Sequence, residues 1–245
     1  MRRVSKRPKG TSRKIAAARI AVSRANAVLK ARSAMSPGSY GPPASRGFYN
    51  FGGGRNELKF VDSADTNKAV AVGGEIFLLN GIATGTDITN RVGRKICMKS
   101  LIFNANIFNV ATTANALQGI MIRHMIIYDS QPNSAATLPA VTDILAAATT
   151  LSPLNLNNRD RFKIVYDKRS QIGAFVINGA PTLVAGSPYN VFWNKYRKLN
   201  HDVIYSGVGN TIGNIGTGAM YLLVIGDFTA VAQHDYHIRI RFTDN

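Results

Sequence analysis

The chain has 245 residues, and 45% of them are apolar, which is enough to build a sizeable buried core. Thirty Lys and Arg residues against 13 acidic ones give a net charge of +17, which indicates a polyanionic partner. A single cysteine excludes a disulfide framework within the chain. The sequence contains no run of about 18 consecutive apolar residues, so it predicts no membrane-spanning helix.

The positive charge is concentrated at the start of the chain. Residues 1–55 contain 13 Lys or Arg residues and no Asp or Glu, whereas residues 56–245 contain 17 basic and 13 acidic residues. A segment with so much charge of one sign repels itself and attracts polyanions. We therefore predict a basic arm at 1–35, a Gly- and Pro-rich linker at 36–55, and one folded domain at 56–245.

The arm is predicted to bind nucleic acid, because Lys and Arg neutralise phosphates and release counterions. Within it, Lys6-Arg7-Pro8-Lys9 is typical of a nuclear-import signal, which implies an import receptor as a partner. Residues 12–32 are Ala-rich and favour a helix, although a solvated tail or a mitochondrial presequence has a similar composition. The predicted contacts are Arg2, Arg3, Lys6, Arg7, Lys9, Arg13, Lys14, Arg19, Arg24, Lys30 and Arg32.

The folded domain is predicted to consist almost entirely of β-strands. In chain order, the strands are expected at 57–61, 75–79, 101–110, 119–128, 161–166, 172–177, 193–205, 219–228 and 236–243, with one helix at 140–148. The strands at 101–110, 119–128 and 219–228 are continuously apolar, as expected for strands covered on both faces. Phe162, Ile164 and Tyr166 are predicted to share one apolar face. This pattern predicts an all-β, two-sheet antiparallel sandwich or barrel.

A second candidate nucleic-acid site lies where aromatic and basic residues alternate, at Trp193, Lys195, Tyr196 and Arg197. On a strand, Trp193, Lys195 and Arg197 share one face, and Tyr196 shares the other with Lys198. A base can stack on such an aromatic ring while the cations hold its phosphates. The alternative is that one aromatic residue belongs to the core and the cations face water. Another basic stretch, at 159–169, is predicted to face solvent or a neighbouring subunit.

No motif predicts catalysis, a cofactor or a metal site. Residues 207–213 are Gly-rich but lack the spacing of a nucleotide-binding fingerprint, so they are predicted to be a flexible loop. His234 and His237 are three residues apart on a predicted strand and therefore point to opposite faces. Asp62 and Asp65 are compatible with a calcium ion between subunits, although turn and capping roles are more common for such residues.

Four short motifs carry a family resemblance: Glu57-Leu58-Lys59-Phe60-Val61-Asp62, Leu79-Asn80-Gly81-Ile82, Gly85-Thr86-Asp87 and Arg91-Val92-Gly93-Arg94-Lys95-Ile96. They resemble the capsid proteins of small circular single-stranded DNA viruses, the circovirus-like and geminivirus-like group that encodes a replication initiator. Small plant satellite virus coats look related. The resemblance implies an eight-stranded viral jelly roll with a basic arm, and a closed icosahedral shell on the order of sixty copies. It also implies single-stranded DNA as the cargo, although the residues themselves do not exclude RNA.

The sequence therefore predicts a structural capsid protein that packages a genome through its arm, in the virion and in the host nucleus during assembly, with a host nuclear-import receptor as a partner. The alternative is a cellular nucleic-acid-binding protein of ribosomal or chromatin type. Such proteins usually spread their basic residues over the folded domain, whereas here the residues are concentrated in the arm. An enzyme is disfavoured because no catalytic motif is present.

Overall fold

The computed structural model describes residues 57–110, 119–132, 136–173, 175–177, 181–183, 190–228 and 232–244. The predicted arm and linker, with all 11 candidate contacts of the arm and the nuclear-import signal, lie outside the described residues. The helix predicted for 12–32 lies outside them as well. These predictions stay predictions, and the fold is that of the domain that follows.

Two antiparallel sheets form the domain, as the alternating sequence pattern predicts. One has five strands in the order β1-β11-β3-β8-β9, the other has four in the order β2-β10-β4-β5, and β6 pairs with β7. The bounds are β1 Leu58–Ala69, β2 Glu75–Leu78, β3 Lys95–Asn109, β4 Ile120–Asp129, β5 Phe162–Ile172, β6 Phe175–Ile177, β7 Pro181–Leu183, β8 Asn190–Tyr205, β9 Ile215–Thr217, β10 Ala219–Gly226 and β11 Ala232–Asp244.

The pairing between these strands is nested. β4 pairs with β5, β3 with β8, β2 with β10 and β1 with β11, so the chain folds back on itself as one long hairpin laid out in two layers. The core between the layers is built from the inward apolar residues of both sheets, among them Phe103, Ile126, Leu222 and Ile238. The prediction of an all-β, two-sheet domain is confirmed.

The two sheets differ in how they are covered. All residues of β10 and nearly all of β4 are buried, as predicted for strands covered on both faces. β3 was predicted to be covered in the same way, but beyond Leu101 it alternates between buried and half-buried residues, such as Phe103 and Asn104. The reason is that no described segment lies over the outer face of the five-stranded sheet.

Residues 136–160 cover the outer face of the four-stranded sheet. The predicted helix at 140–148 is shorter in the structure, where α1 spans only Val141–Ile144. It ends there because Leu145 forms an isolated bridge with Leu154, and Asn155 donates its backbone N–H to the carbonyl of Ile144. Tertiary pairing therefore takes the backbone groups that further helix would need.

Arg123 of β4 fastens this covering segment to the sheet. Its side chain is 2% exposed and donates two hydrogen bonds to the carboxylate of Asp167, at 2.8 and 2.6 Å. It also donates to the carbonyl of Ser152 at 2.6 Å. A buried guanidinium needs such partners on all sides, so the contact joins β4, β5 and residues 136–160 at one point.

A second buried arginine, Arg91, ties two loops together. Its guanidinium donates to the carbonyls of Ile82, Gly93 and Gly207, and lies 4.0 Å from the ring centroid of Tyr205. The Gly-rich loop that was predicted to be flexible is therefore anchored at Gly207, and its end at Ile212–Asn214 forms a 3-10 turn. Burial lowers the pKa of Arg91 from its ordinary value.

Candidate nucleic-acid interface

The aromatic and basic residues predicted to form a site lie on β8, and the structure separates them by face. Trp193, Lys195 and Arg197 pair with the inward Ala105, Phe103 and Leu101 of β3, whereas Tyr196 pairs with Ile102 on the outer face. The predicted division of the residues between the two faces of the strand is therefore confirmed.

Trp193 is part of the core, as the alternative for this stretch predicted, which corrects its assignment as a nucleic-acid contact. Its side chain is 4% exposed, and its ring lies 4.6 Å from His124 and 6.0 Å from Phe103, measured between centroids, with edge-on geometry in both cases. A base cannot reach a ring that is packed in this way. Of the two aromatic residues, only Tyr196, which is 59% exposed, offers a surface for stacking.

Lys195 and Arg197 point inward, yet both are exposed. Among the described strands, β8 is an edge strand of its sheet over residues 190–203, and β5 is the edge strand of the other sheet on the same side of the sandwich. Long side chains at such an edge place their aliphatic stems against the core and their charged ends in water. The guanidinium carbon of Arg197 lies 5.7 Å from the ring centroid of Tyr166 on β5, within range of a cation–π interaction.

A β-bulge in β5 brings further cations to this edge. Ile126 of β4 pairs with Tyr166 of β5, but the next residue of β4, Ile127, pairs with Ile164. Val165 is therefore an extra residue of β5 without a partner on β4. The bulge reverses the alternation of faces and places Lys163, Tyr166 and Lys168 together on the inward side. The prediction that Phe162, Ile164 and Tyr166 share a face is wrong, because the period of two does not continue through a bulge.

Lys168 contacts a side chain of β8, and Lys163 acts on another through its charge. The Nζ atom of Lys168 lies 5.4 Å from the ring centroid of Trp193. The pKa of His201 on β8 is lowered by burial and, to a smaller extent, by the positive charge of Lys163. We call the strip formed by Lys163, Lys168, Lys195 and Arg197 the cationic seam. Two basic stretches that are about 30 residues apart in the chain therefore meet at one edge.

The cationic seam brings together four cations that have no carboxylate partner among the described residues, although single cations elsewhere in the domain, such as Lys198, also lack one. Within the described residues, no carboxylate lies within 4.0 Å of its four cations, whereas Arg161, Lys95 and Arg239 pair with Asp129, Asp202 and Asp62 at 2.8, 2.9 and 2.6 Å. The rest of the predicted 159–169 stretch is also engaged elsewhere, since Arg169 donates to the carbonyl of Thr150. The seam is thus a concentration of unneutralised charge, which attracts polyanions.

The metal hypotheses find no support in the part of the chain that the structure describes, where no cluster of three or more His, Cys, Asp or Glu side chains is present. The carboxylate of Asp62 accepts two hydrogen bonds from Arg239, at 2.7 and 2.6 Å, and is therefore occupied. His234 is 1% exposed and His237 lies on the outer face, which confirms that they point to opposite sides. Among the described helices, none is long and apolar enough to cross a membrane.

Comparison with known proteins decides the family. The family model described as Satellite tobacco necrosis virus coat protein matches residues 54–245, which is most of the chain. The chain belongs to this coat protein family. It is 26% identical over 190 residues to the coat protein of Satellite tobacco necrosis virus 2, an alignment that covers 77% of this chain and 86% of that protein.

Two solved virus structures are also similar, but only weakly. Desmodium yellow mottle tymovirus gives a TM-score of 0.30 at 9% identity, covering 86% of this chain and 95% of that chain. The infectious bursal disease virus Gx strain gives a TM-score of 0.25 at 11% identity, covering 76% and 33%. Because both TM-scores are low, the assignment to a coat protein depends on the family match alone.

The predicted viral coat protein is confirmed, and so is its relation to plant satellite virus coats. The assignment to circular single-stranded DNA viruses is not supported by these matches. Two residues of the motifs behind it have structural roles: Arg91 holds loops, and Asn80 bonds to the backbone of Gly218 and Met220. Both roles lie within the folded domain and do not depend on the type of nucleic acid.

Proposed function

We propose that this coat protein assembles into a small closed icosahedral shell and packages a single-stranded genome through its basic arm at residues 1–35. Membership of the coat protein family implies self-assembly into a capsid. The packaging role is supported by one observation above all, which is that the first 55 residues carry 13 positive charges and no negative charge. Phosphate contacts of this kind hold a strand without reading its sequence.

We further assign the domain to the eight-stranded jelly roll, formed by β1-β11-β3-β8 and β2-β10-β4-β5. The nested pairing supports this assignment, because it is the pattern produced when one long hairpin is wrapped into two sheets. The short β6, β7 and β9 are then additions to the eight. Several dozen copies in closed symmetry would bring several hundred arm charges together, which is suited to condensing a polyanion.

The packaging proposal is tested with two variants of the full chain. One lacks residues 1–35, and the other keeps them but replaces their 11 Lys and Arg residues with Gln, so that length and charge are separated. Electron microscopy reports particle formation. The ratio of the ultraviolet absorbance of nucleic acid to that of protein reports the nucleic-acid content of the particles. We expect closed particles from the unaltered chain and from both variants, and nucleic acid only in the particles of the unaltered chain. Nucleic acid retained by the Gln variant would overturn the role of the arm.

The type of nucleic acid is decided by the same particles. Single-stranded DNA was predicted from the resemblance alone, and single-stranded RNA fits the same charges, because both present phosphates at regular spacing. Digestion of the extracted cargo with an RNase or a DNase, each specific for single strands, separates the two. Cargo that resists both single-strand nucleases would contradict the proposal of a single-stranded genome.

The nuclear-import signal at Lys6-Arg7-Pro8-Lys9 remains a separate proposal. Residues 1–14 fused to a fluorescent reporter are expected to direct it to the nucleus. The matched control replaces Lys6, Arg7 and Lys9 with Gln and leaves Arg2 and Arg3 in place. A reporter that stays cytoplasmic with the unaltered segment would remove the import role and leave the packaging proposal untouched.

A further inference from the structure

We propose that the cationic seam binds phosphate groups of the packaged strand as a second contact surface, in addition to the arm. This inference rests on the proposed packaging function and names a site within the folded domain. It includes Lys163 and Lys168, which belong to a stretch that the sequence assigns to solvent or to a neighbouring subunit.

Two of the four cations lie against buried aromatic rings of the domain. The ammonium group of Lys168 lies over the ring of Trp193, and the guanidinium of Arg197 lies near the ring of Tyr166, while both rings are buried. Lys195 and Arg197 are two positions apart on the same face of β8, so their backbones are separated by about 7 Å. Cations that are partly ordered before binding lose less conformational entropy when they meet a phosphate.

The charge distribution of the domain favours a polyanion over a second copy of this chain. All 13 acidic residues are among the described residues, and eight of them lie within 4.0 Å of a cationic group. The other five accept an N–H hydrogen bond from a backbone or amide group, and they are Asp65, Asp87, Asp143, Asp227 and Asp235. A neighbouring copy therefore has no cluster of unengaged carboxylates to place against the seam, whereas a nucleic-acid strand supplies phosphates continuously.

Inward-pointing charges at an edge strand also have a purely protective use, since they prevent edge-to-edge pairing with other chains. The two roles predict different results. Protection predicts that neutral side chains cause aggregation without changing the affinity for nucleic acid. Phosphate binding predicts that the affinity and its dependence on salt change first.

The decisive experiment compares Lys195→Gln with Lys198→Gln in the full chain. The two substitutions make the same chemical change on the same strand, but Lys195 belongs to the seam and Lys198 lies on the opposite face. A fluorescently labelled single-stranded RNA of mixed sequence is titrated at several salt concentrations, at protein concentrations where light scattering shows no assembly. Lys168→Gln serves as a second seam variant from the other sheet.

We expect the slope of log affinity against log salt to become less steep by about 0.7 for each seam lysine removed, and to remain unchanged in Lys198→Gln. Equal slopes in Lys195→Gln, Lys168→Gln and Lys198→Gln would overturn the inference. Unchanged slopes accompanied by aggregation would identify edge protection, and unchanged slopes with a loss of particles would identify a contact between copies. If the unaltered chain fails to bind the RNA at any salt concentration, the packaging proposal fails together with the inference.

Acetylation of lysines in intact particles gives an independent measurement. Mass spectrometry is expected to find Lys163, Lys168 and Lys195 protected in filled particles and reactive in particles that assemble empty from the arm variant. Lys198 is expected to react equally in both. Protection of the seam lysines in empty particles would show that protein covers the seam, and would contradict phosphate binding.

Discussion

The imidazole rings of His124 and His234 meet in the interior at 5.5 Å between centroids, one from each sheet. Phe103 and Trp193 surround His124, and Tyr236 stacks on His234 at 5.5 Å. Neither nitrogen of His124 has a hydrogen-bond partner in the described structure, and Nδ1 of His234 has none. Burial lowers the pKa of both histidines, and that of His234 falls to about 4. For His234, the nearby carboxylates of Asp65, Glu75 and Asp235 raise the pKa, but burial outweighs them and the positive charge of Lys68 lowers the pKa further.

This pair predicts a domain that loses stability in acid. Both histidines are neutral in the folded state, whereas in the unfolded chain they bind protons near pH 6.5, so the unfolded state takes up more protons as the pH falls. The stability is complete above about pH 6.5 and decreases towards pH 4 by about 1.4 kcal/mol per pH unit for each histidine. Urea unfolding at pH 7.5, 6 and 5 measures this slope.

Two variants identify the source of the slope. His124→Phe is expected to remove the contribution of His124, about 1.4 kcal/mol per pH unit, because phenylalanine fits an aromatic cluster and does not titrate. Tyr236→Phe, which changes another ring of the same cluster without removing a group that titrates in this range, is expected to leave the slope unchanged. A free energy of unfolding that does not vary between pH 7.5 and 5 would contradict this prediction.

Arg123 is expected to contribute far more to stability than Arg239, although both bind a carboxylate through two hydrogen bonds. Arg123→Met leaves the carbonyl of Ser152 and the carboxylate of Asp167 without their partner, and should lower the free energy of unfolding by about 3 kcal/mol. Arg239→Met removes a pair that water already screens, so its effect should be much smaller. Equal urea midpoints for the two variants would show that the covering segment is not held by Arg123.

Gly218 is predicted to resist substitution because of its backbone. Its φ is +84°, and an added Cβ would lie 2.5 Å from the carbonyl oxygen of Asp202. Gly218→Ala should therefore lower the free energy of unfolding by more than about 1 kcal/mol. Gly73→Ala is the matched control, since an added Cβ there meets nothing within 4 Å and φ is not in the left-handed region. Thermal unfolding of the two variants compares them, and a stable Gly218→Ala protein would show that the backbone rearranges.

Trp193 is the only tryptophan in the chain, so its fluorescence reports directly on the core. Because only 4% of its side chain is exposed, acrylamide can hardly reach the ring in the native protein. We therefore expect acrylamide to quench its emission weakly in the native protein and strongly in urea. Quenching of the native protein as strong as that of the unfolded chain would contradict the placement of this ring. It would also reopen the prediction that a base stacks on it.

The resemblance used for the sequence prediction was correct at the level of the coat protein and unsupported at the level of the virus group. In the motif that begins at Arg91, the arginine holds loop carbonyls within the folded domain. The type of nucleic acid does not act on these residues, so they cannot reveal it. The separation of charge between the first 55 residues and the rest is visible without any structure.

The local period of the sequence determined the all-β class and the face assignments of β8 and β11, because alternating side chains necessarily point to opposite sides of a strand. Tertiary pairing decided the rest. β1 continues to Ala69, well beyond the predicted end at residue 61, because β11 supplies its hydrogen bonds. The bulge at Val165 arises from the register with β4, and α1 stops where Leu145 pairs with Leu154. The burial of Trp193 and the meeting of Lys163 and Lys168 with Lys195 and Arg197 depend on contacts between distant segments, which no local pattern contains.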